Sequence, residues 1–543
     1  MGGGRSRVPD THETVVSVPP GAALMPDAPP PPPARSAVDD GHHLARGAAA
    51  NALVLLASNF RGVFIFLIAR LLGEAALGRF GLAFATTELL SKAGMLGFDN
   101  SIIPFMAPRV ASGDADGARR VFRRAAAIAG VASSVVALVS IPVVAWLAAT
   151  HGLDAFARGG VVMLLALPGI AVARIATGAS RSVLAMSSEF YSRGITETWV
   201  TTGVFVIAIA LGVRDVAPAL AVALGTTAAA VVAYALAARA IEARVLTGHS
   251  WGPASAGSAP PLPATGEMLR FSLPIAGSSL LTVLVMQADV LLLGTYVNRA
   301  PGVTVESFGV FCAAAQVAGG LRKVRQVFDP IFAPIVATRA ASTERAALRD
   351  TVAGPGRWVL AAQLPAVGAM VLAAGPIMAI YGTGFRSGAL WLALLAVAHG
   401  TNAFAGLVET LLMIERPSLN LVNASLTVAV QLAVGLLLIP QFGVTGAAVA
   451  MCCGFAVQGI ARFAEVRHVF GWTWPWASLV RPLAAAAIAA APAIALRIPG
   501  GMWWDLAAGL AFLGAYALAW LWLGPDPEDR EIWRRLLKRP GSR

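Results

Sequence analysis

Runs of about twenty apolar residues, separated by short stretches of glycine, proline and charge, recur from Ala48 to about Gly524. A helix of that length crosses a hydrocarbon core of about 30 Å, so the pattern predicts an all-α polytopic membrane protein with about fourteen transmembrane helices. Six crossings start near Ala48, Phe80, Val121, Gly160, Ile195 and Val216. Six more start near Met268, Phe308, Ala353, Ser387, Pro417 and Gly443, and a last pair near Leu479 and Trp503. Residues 241–267, with "SWGPASAGSAPPLPATGE", are polar and rich in proline, glycine and serine, and read as a linker. The expected organisation is a first six-helix bundle over 48–240, the linker, a second bundle over 268–466 and a helix pair over 467–523. Residues 1–47, with "PDAPPPPPARS", read as a disordered tail rather than a signal peptide, so the first crossing directs insertion. Residues 524–543 read as a basic amphipathic tail, with Trp533, Leu536 and Leu537 opposite Arg535, Lys538 and Arg539.

Composition agrees with the membrane reading. Apolar residues make up 57% of the 543 and charged residues 13%, about half the usual charged share. The mean hydropathy is +0.71. Cys312, Cys452 and Cys453 lie inside apolar runs without metal-ligand or disulfide spacing, so neither a metal nor a cofactor is expected.

The net charge of +12 would suit a nucleic-acid binder if the cations clustered on one soluble face. They follow topology instead. With the N-terminus inside, Arg109, Arg119, Arg120, Arg123 and Arg124 fall on the cytoplasmic side, as do Arg339, Arg345, Arg349, Arg357 and the C-terminal "REIWRRLLKRPGSR". The opposite loops carry only scattered arginines, which places both termini in the cytoplasm and leaves no need for nucleic acid. The tryptophans of "GWTWPW", "MWW" and "AWLW" read as interfacial anchors.

The second and eighth predicted helices resemble each other. Phe80-Gly81 matches Phe308-Gly309, and Ala107-Pro108-x-Val110-Ala111 matches Ala333-Pro334-x-Val336-Ala337, 226 residues on. Because six is even, the two bundles are expected to be parallel repeats around a central cavity, an arrangement of transporters. A charge at mid-bilayer costs about 2.5–3.5 kcal/mol on insertion scales, so intramembrane charges mark an interior. Glu88, Lys92 and Asp99 share a face of the second helix, where Glu88 and Lys92 are spaced to pair. Arg61 lies on the first helix and Asp289 on the seventh, with Arg174 and Glu197 as weaker candidates. The eighth helix carries Arg322, Lys323, Arg325 and Asp329. These cations either line a hydrated cavity, where they suit phosphate oxygens, or form a loop if the helix ends near Leu321. The Glu88–Lys92 pair is structural or functional, and Asp289 is a cap or an ion ligand.

The six-plus-six-plus-two pattern, "PRVASGDADGARRVFRRA", "QADVLLLG" and "FDPIFAPIVA" resemble the polysaccharide (O-antigen, Wzx-like) flippase family, in the superfamily that holds multidrug antiporters and the lipid II flippase. The resemblance implies flipping of an undecaprenyl-pyrophosphate-linked oligosaccharide across the bacterial inner membrane by ion-coupled alternating access, in polysaccharide or lipopolysaccharide biosynthesis. It implies substrate-binding roles for Arg61, Lys92, Arg322, Lys323 and Arg325. Glu88, Asp99 and Asp289 are the candidates for coupling to a proton or sodium ion. The expected partners are the lipid-linked substrate, membrane lipids and the coupling ion, with the protein a monomer and not an enzyme. A drug antiporter would want an acidic lumen. A polysaccharide polymerase or ligase would want long external loops, and the longest here are about ten residues. His399 and His468 lack a partner carboxylate at useful spacing.

Overall fold

The computed structural model describes residues 60–150, 154–185, 187–246, 261–326 and 345–524, and among them every regular element is a helix. The proline-rich segment of 1–47, most of the linker, residues 525–543, Asp329 and the second Ala-Pro copy lie outside the described residues, as does the side chain of Arg61.

The first elements are α1 (Phe60–Met95), α2 (Phe98–Ala111) and α3 (Ala115–Thr150). Gly73 breaks α1, at φ 81° and ψ −172°, a conformation that only glycine adopts without strain. A second break at Leu96 and Gly97, both with positive φ, separates α1 from α2. It interrupts what the sequence reads as one helix. Next come α4 (Asp154–Leu164) and α5 (Leu167–Ser182), meeting at a bend of 41°. A π-helical stretch (Phe190–Glu197) leads into α6 (Thr198–Ala210), followed by α7 (Ala217–Leu246).

Beyond the linker stand α8 (Thr265–Thr295) and α9 (Val305–Gly319). Thr304 and Ser307 cap α9 reciprocally, each side chain accepting from the other's backbone N–H. The remaining long helices are α10 (Arg345–Leu372), α11 (Ala389–Glu415), α12 (Pro417–Phe442), α13 (Val444–Phe470), α14 (Val480–Arg497) and α15 (Met502–Leu523). Among the described residues eight helices are long and apolar enough to cross a membrane, or nine if α4 and α5 form one bent span. Their outer surfaces carry Leu138, Trp146, Leu437, Leu521 and Trp522, all more than 60% exposed, as lipid-facing side chains must be.

Small residues allow the helices to approach closely, which is how helices associate where lipid offers no hydrophobic drive. A Cβ on Gly78 would stand 2.6 Å from the Val305 carbonyl oxygen and 3.0 Å from the Gly309 nitrogen, so α1 and α9 cross with their backbones in contact. Nearer the other end of α1, the Ser101 hydroxyl of α2 bonds that of Ser272 on α8. Elements of 60–111 and 265–319 thus meet at two levels. The last pair, α14 and α15, packs on α10, where the Tyr516 hydroxyl donates to the Ala361 carbonyl at 3.0 Å.

The tryptophan reading needs one correction. Trp476, Trp503, Trp504 and Trp522 are exposed, but Trp474 is only 2% exposed and lies among Phe404 and Phe463, with ring centroids 6.0 and 5.6 Å away. A Cβ on Gly356 would come 2.6 Å from its indole, so the bare backbone of α10 makes the room. Trp474 is a core residue.

Candidate functional site

After Gly319 the helical path of α9 yields for one turn, Gly320 and Leu321, and residues 322–326 then resume as helix. The break sets Arg322, Lys323, Arg325 and Gln326 along the wall of a cavity of about 780 Å³. Its other walls come from α8, α11, α12 and α13, through Ser278, Met286, Asn402, Glu409, Asn420 and Arg462 among others. The helix pauses at Gly320 and Leu321, and the cations stand on the helical turn that follows it, facing the cavity.

Among the described residues the lining contains four cations, Arg322, Lys323, Arg325 and Arg462, against one carboxylate, Glu409. Arg322 donates to the carbonyl of Gly319 at 3.3 Å, closing the turn from which it projects, and its guanidinium also rests on the Met286 sulfur. Arg325 donates to Glu409 Oε2 at 3.1 Å. Arg462 donates to the same oxygen at 2.9 Å, and its other terminal nitrogen reaches Asn402 Oδ1 at 3.5 Å. Gly406 lies one helical turn before Glu409, and Arg325 crosses it so closely that a Cβ there would collide with the guanidinium. The backbone carbonyl of Glu409 accepts from Asn420 at 3.1 Å, which ties α12 to α11 beside the chamber.

Glu409 and Arg462 are absent from the residues picked out in the sequence, although the spacing that drew attention to Glu88, Lys92 and Asp99 also marks them. Asn402, Gly406 and Glu409 fall at four and seven on α11, and Gln458, Arg462 and Glu465 at four and seven on α13. Each set shares one face of its helix.

The remaining candidates lie elsewhere. Lys92 bonds Asp99 Oδ2 at 2.7 Å across the break at Leu96–Gly97, not Glu88 as the spacing suggested. The reason is the break itself, which folds Asp99 back towards Lys92. Glu88 instead accepts from Gln287 of α8 at 3.0 Å. It also lines a small cavity of about 50 Å³ with Arg174, Arg193 and Glu197, where Arg193 pairs with Glu197 at 3.5 Å. Asp289 is 5% exposed on α8, and neither of its carboxylate oxygens has a hydrogen-bond partner among the described residues. His399 is buried against Phe455 and His468 is exposed at the end of α13. No group of three or more histidine, cysteine or acidic side chains suited to a metal occurs among the described residues.

Residues 44–321 match the family of polysaccharide biosynthesis proteins, over more than half of the chain. The chain belongs to that family. No curated protein matches it in sequence. Among solved structures, an inward-facing multidrug resistance MATE family transporter of the MOP superfamily aligns with a TM-score of 0.63 at 15% identity, over 79% of this chain and 98% of its own. The lipid II flippase MurJ, in an inward closed conformation, aligns with a TM-score of 0.59 at 12% identity, over 90% and 98%. A MOP superfamily transporter from Pyrococcus furiosus aligns at 0.56 and 16% identity, over 80% and 98%. This member of the polysaccharide biosynthesis family therefore has the fold of MOP superfamily transporters, as a multi-pass membrane protein. These structural neighbours are transporters and a flippase.

Proposed function

We propose that the protein flips a diphosphate-headed, lipid-linked oligosaccharide from the cytoplasmic to the periplasmic leaflet of the inner membrane by ion-coupled alternating access. The observation that carries the proposal is the excess of base in the cavity, four cations against one carboxylate among the described residues. In a low-dielectric surround such an excess favours an anion, and guanidinium forks match phosphate oxygens. A cationic drug would meet repulsion there. For the Pyrococcus furiosus transporter, reversed polarity of the binding pocket suggests a different function; the base-rich lining here argues against a cationic cargo for this chain.

Arg322, Lys323 and Arg325 are the proposed head-group ligands, with Arg61 and Lys92 as further cations of the path. Among the three acids proposed for coupling to a proton or sodium, Glu88 is held by Gln287 and Asp99 by Lys92. Asp289, without a hydrogen-bond partner among the described residues, is the acid best suited to exchange an ion. The proposed orientation puts both termini and the linker of 241–267 in the cytoplasm, with bundles over 48–240 and 268–466 acting as the moving halves of a monomer.

The test is glycan exposure on the outer leaflet in cells lacking their own flippase, with the membrane level of each variant measured in parallel. Arg322→Ala and Arg325→Ala are expected to lower flipping about tenfold or more, because charge-assisted bonds to phosphate contribute about 1.5–3 kcal/mol each. Arg325→Lys recovers part of the loss, since an ammonium presents no fork. A triple alanine variant at 322, 323 and 325 that flips at the wild-type rate sinks the proposal.

A further inference from the structure

Two arginines from different helices converge on a single carboxylate oxygen at the cavity wall. Arg325 and Arg462 both donate to Glu409 Oε2, at 3.1 and 2.9 Å. Arg462 is 4% exposed and stands on α13, whereas Arg325 follows the pause after α9, so Glu409 of α11 joins three separate elements at one point. One oxygen taking two guanidinium donors is also how a phosphate oxygen is held between arginines.

From this convergence we infer that Glu409 is an internal counter-anion of the diphosphate site, and that Arg462 is a head-group ligand which the carboxylate holds ready. The inference rests on the flippase reading given above and extends it to these two residues. Without a carboxylate between them, Arg325 and Arg462 would repel each other in a poorly screened chamber and splay apart. Glu409 keeps them together, with both guanidiniums donating to one point. When the substrate's diphosphate enters, its oxygens replace Oε2 as acceptor, the two Arg–Glu409 hydrogen bonds are exchanged for Arg–phosphate bonds, and Glu409 turns towards the open part of the cavity. Asn402, which receives the second terminal nitrogen of Arg462 at 3.5 Å, steadies the guanidinium through the exchange. When the head group leaves, Glu409 takes back its two partners, which speeds release. The carboxylate thus weakens binding and supports turnover.

Purified wild type, Glu409→Gln, Arg462→Ala and Arg322→Ala are titrated calorimetrically in detergent with two probes, inorganic pyrophosphate and farnesyl diphosphate. The amide of Glu409→Gln keeps the size of the side chain and one acceptor oxygen but not the competing charge. It is expected to bind both probes about five- to tenfold more tightly, while Arg462→Ala binds them about tenfold more weakly. In the flipping assay Glu409→Gln is expected to lower both the half-saturating substrate level and the maximal rate, a split that damaged folding would not produce. Glu409→Asp, one methylene shorter, checks against misfolding by giving intermediate affinity with an unchanged melting midpoint. If Glu409→Gln binds no more tightly than wild type while Arg322→Ala weakens binding, the counter-anion role falls and the cation cavity stands. If pyrophosphate binds with the expected gain but farnesyl diphosphate does not bind, the exchange stands and the lipid substrate falls. If no variant binds either probe, both fall.

Discussion

Gly78 of α1 and Gly309 of α9 stand backbone to backbone, so close that a Cβ on Gly309 would fall within the Glu74 carbonyl. Neither backbone can retreat as a flexible side chain can. Gly309→Ala is therefore expected to cost about 1–3 kcal/mol by overpacking and to lower the melting midpoint in detergent. Gly277→Ala on α8, where a Cβ meets nothing within 4 Å, is the control and should leave the midpoint unchanged or raise it.

Lys92 and Asp99 form a largely buried ion pair, with side-chain exposures of 16% and 8%. Lys92→Met strands a carboxylate whose other oxygen, Oδ1, already lacks a partner among the described residues, and is expected to lower stability by up to about 3 kcal/mol. Lys92→Met with Asp99→Asn should recover more than half of that loss in a thermal melt. If Lys92 also grips substrate, the double variant regains stability without regaining flipping.

Gly406 is the gap through which Arg325 reaches Glu409. Gly406→Ala is expected to reduce flipping about as much as Arg325→Ala does, with membrane levels unchanged, although alanine is the better helix former. Wild-type flipping in Gly406→Ala would mean that Arg325 acts without this contact.

Asp289→Asn is expected to leave pyrophosphate binding intact and to abolish the dependence of flipping on an ion gradient, because an amide neither titrates nor balances a cation. A variant that still follows a collapse of the proton or sodium gradient as wild type does would remove Asp289 from the coupling.

Tag-accessibility mapping should find both termini and the linker of 241–267 on the cytoplasmic side. A linker detected outside would put an odd number of crossings before it and overturn the six-plus-six, parallel-repeat reading.

Much of the architecture was legible in the chain because hydropathy is a one-dimensional property: a helix must be apolar over its whole length to lie in lipid, whatever it packs against. The all-α membrane fold and its family follow from that pattern and from a handful of fixed glycines, prolines and charges. The cations at 322, 323 and 325 stood out for the same reason, as charges where an apolar helix was expected to continue.

The tertiary structure decided which charges meet. Glu88 and Lys92 have the spacing of a pair, yet the break at Leu96–Gly97 gives Lys92 to Asp99, and a neighbouring helix supplies Gln287 to Glu88. Helical periodicity says which face a side chain shares within its own element. It is silent on what another element brings to that face. Glu409 and Arg462, 53 residues apart in sequence, become partners only through the packing of α11, α13 and the helical turn at 322–326. Trp474 joins the core for a similar reason, since Gly356 on another helix leaves the space. Local sequence thus determined what each helix is, and the close approach of distant backbones, set by glycines at the crossings, determined which side chains form the site.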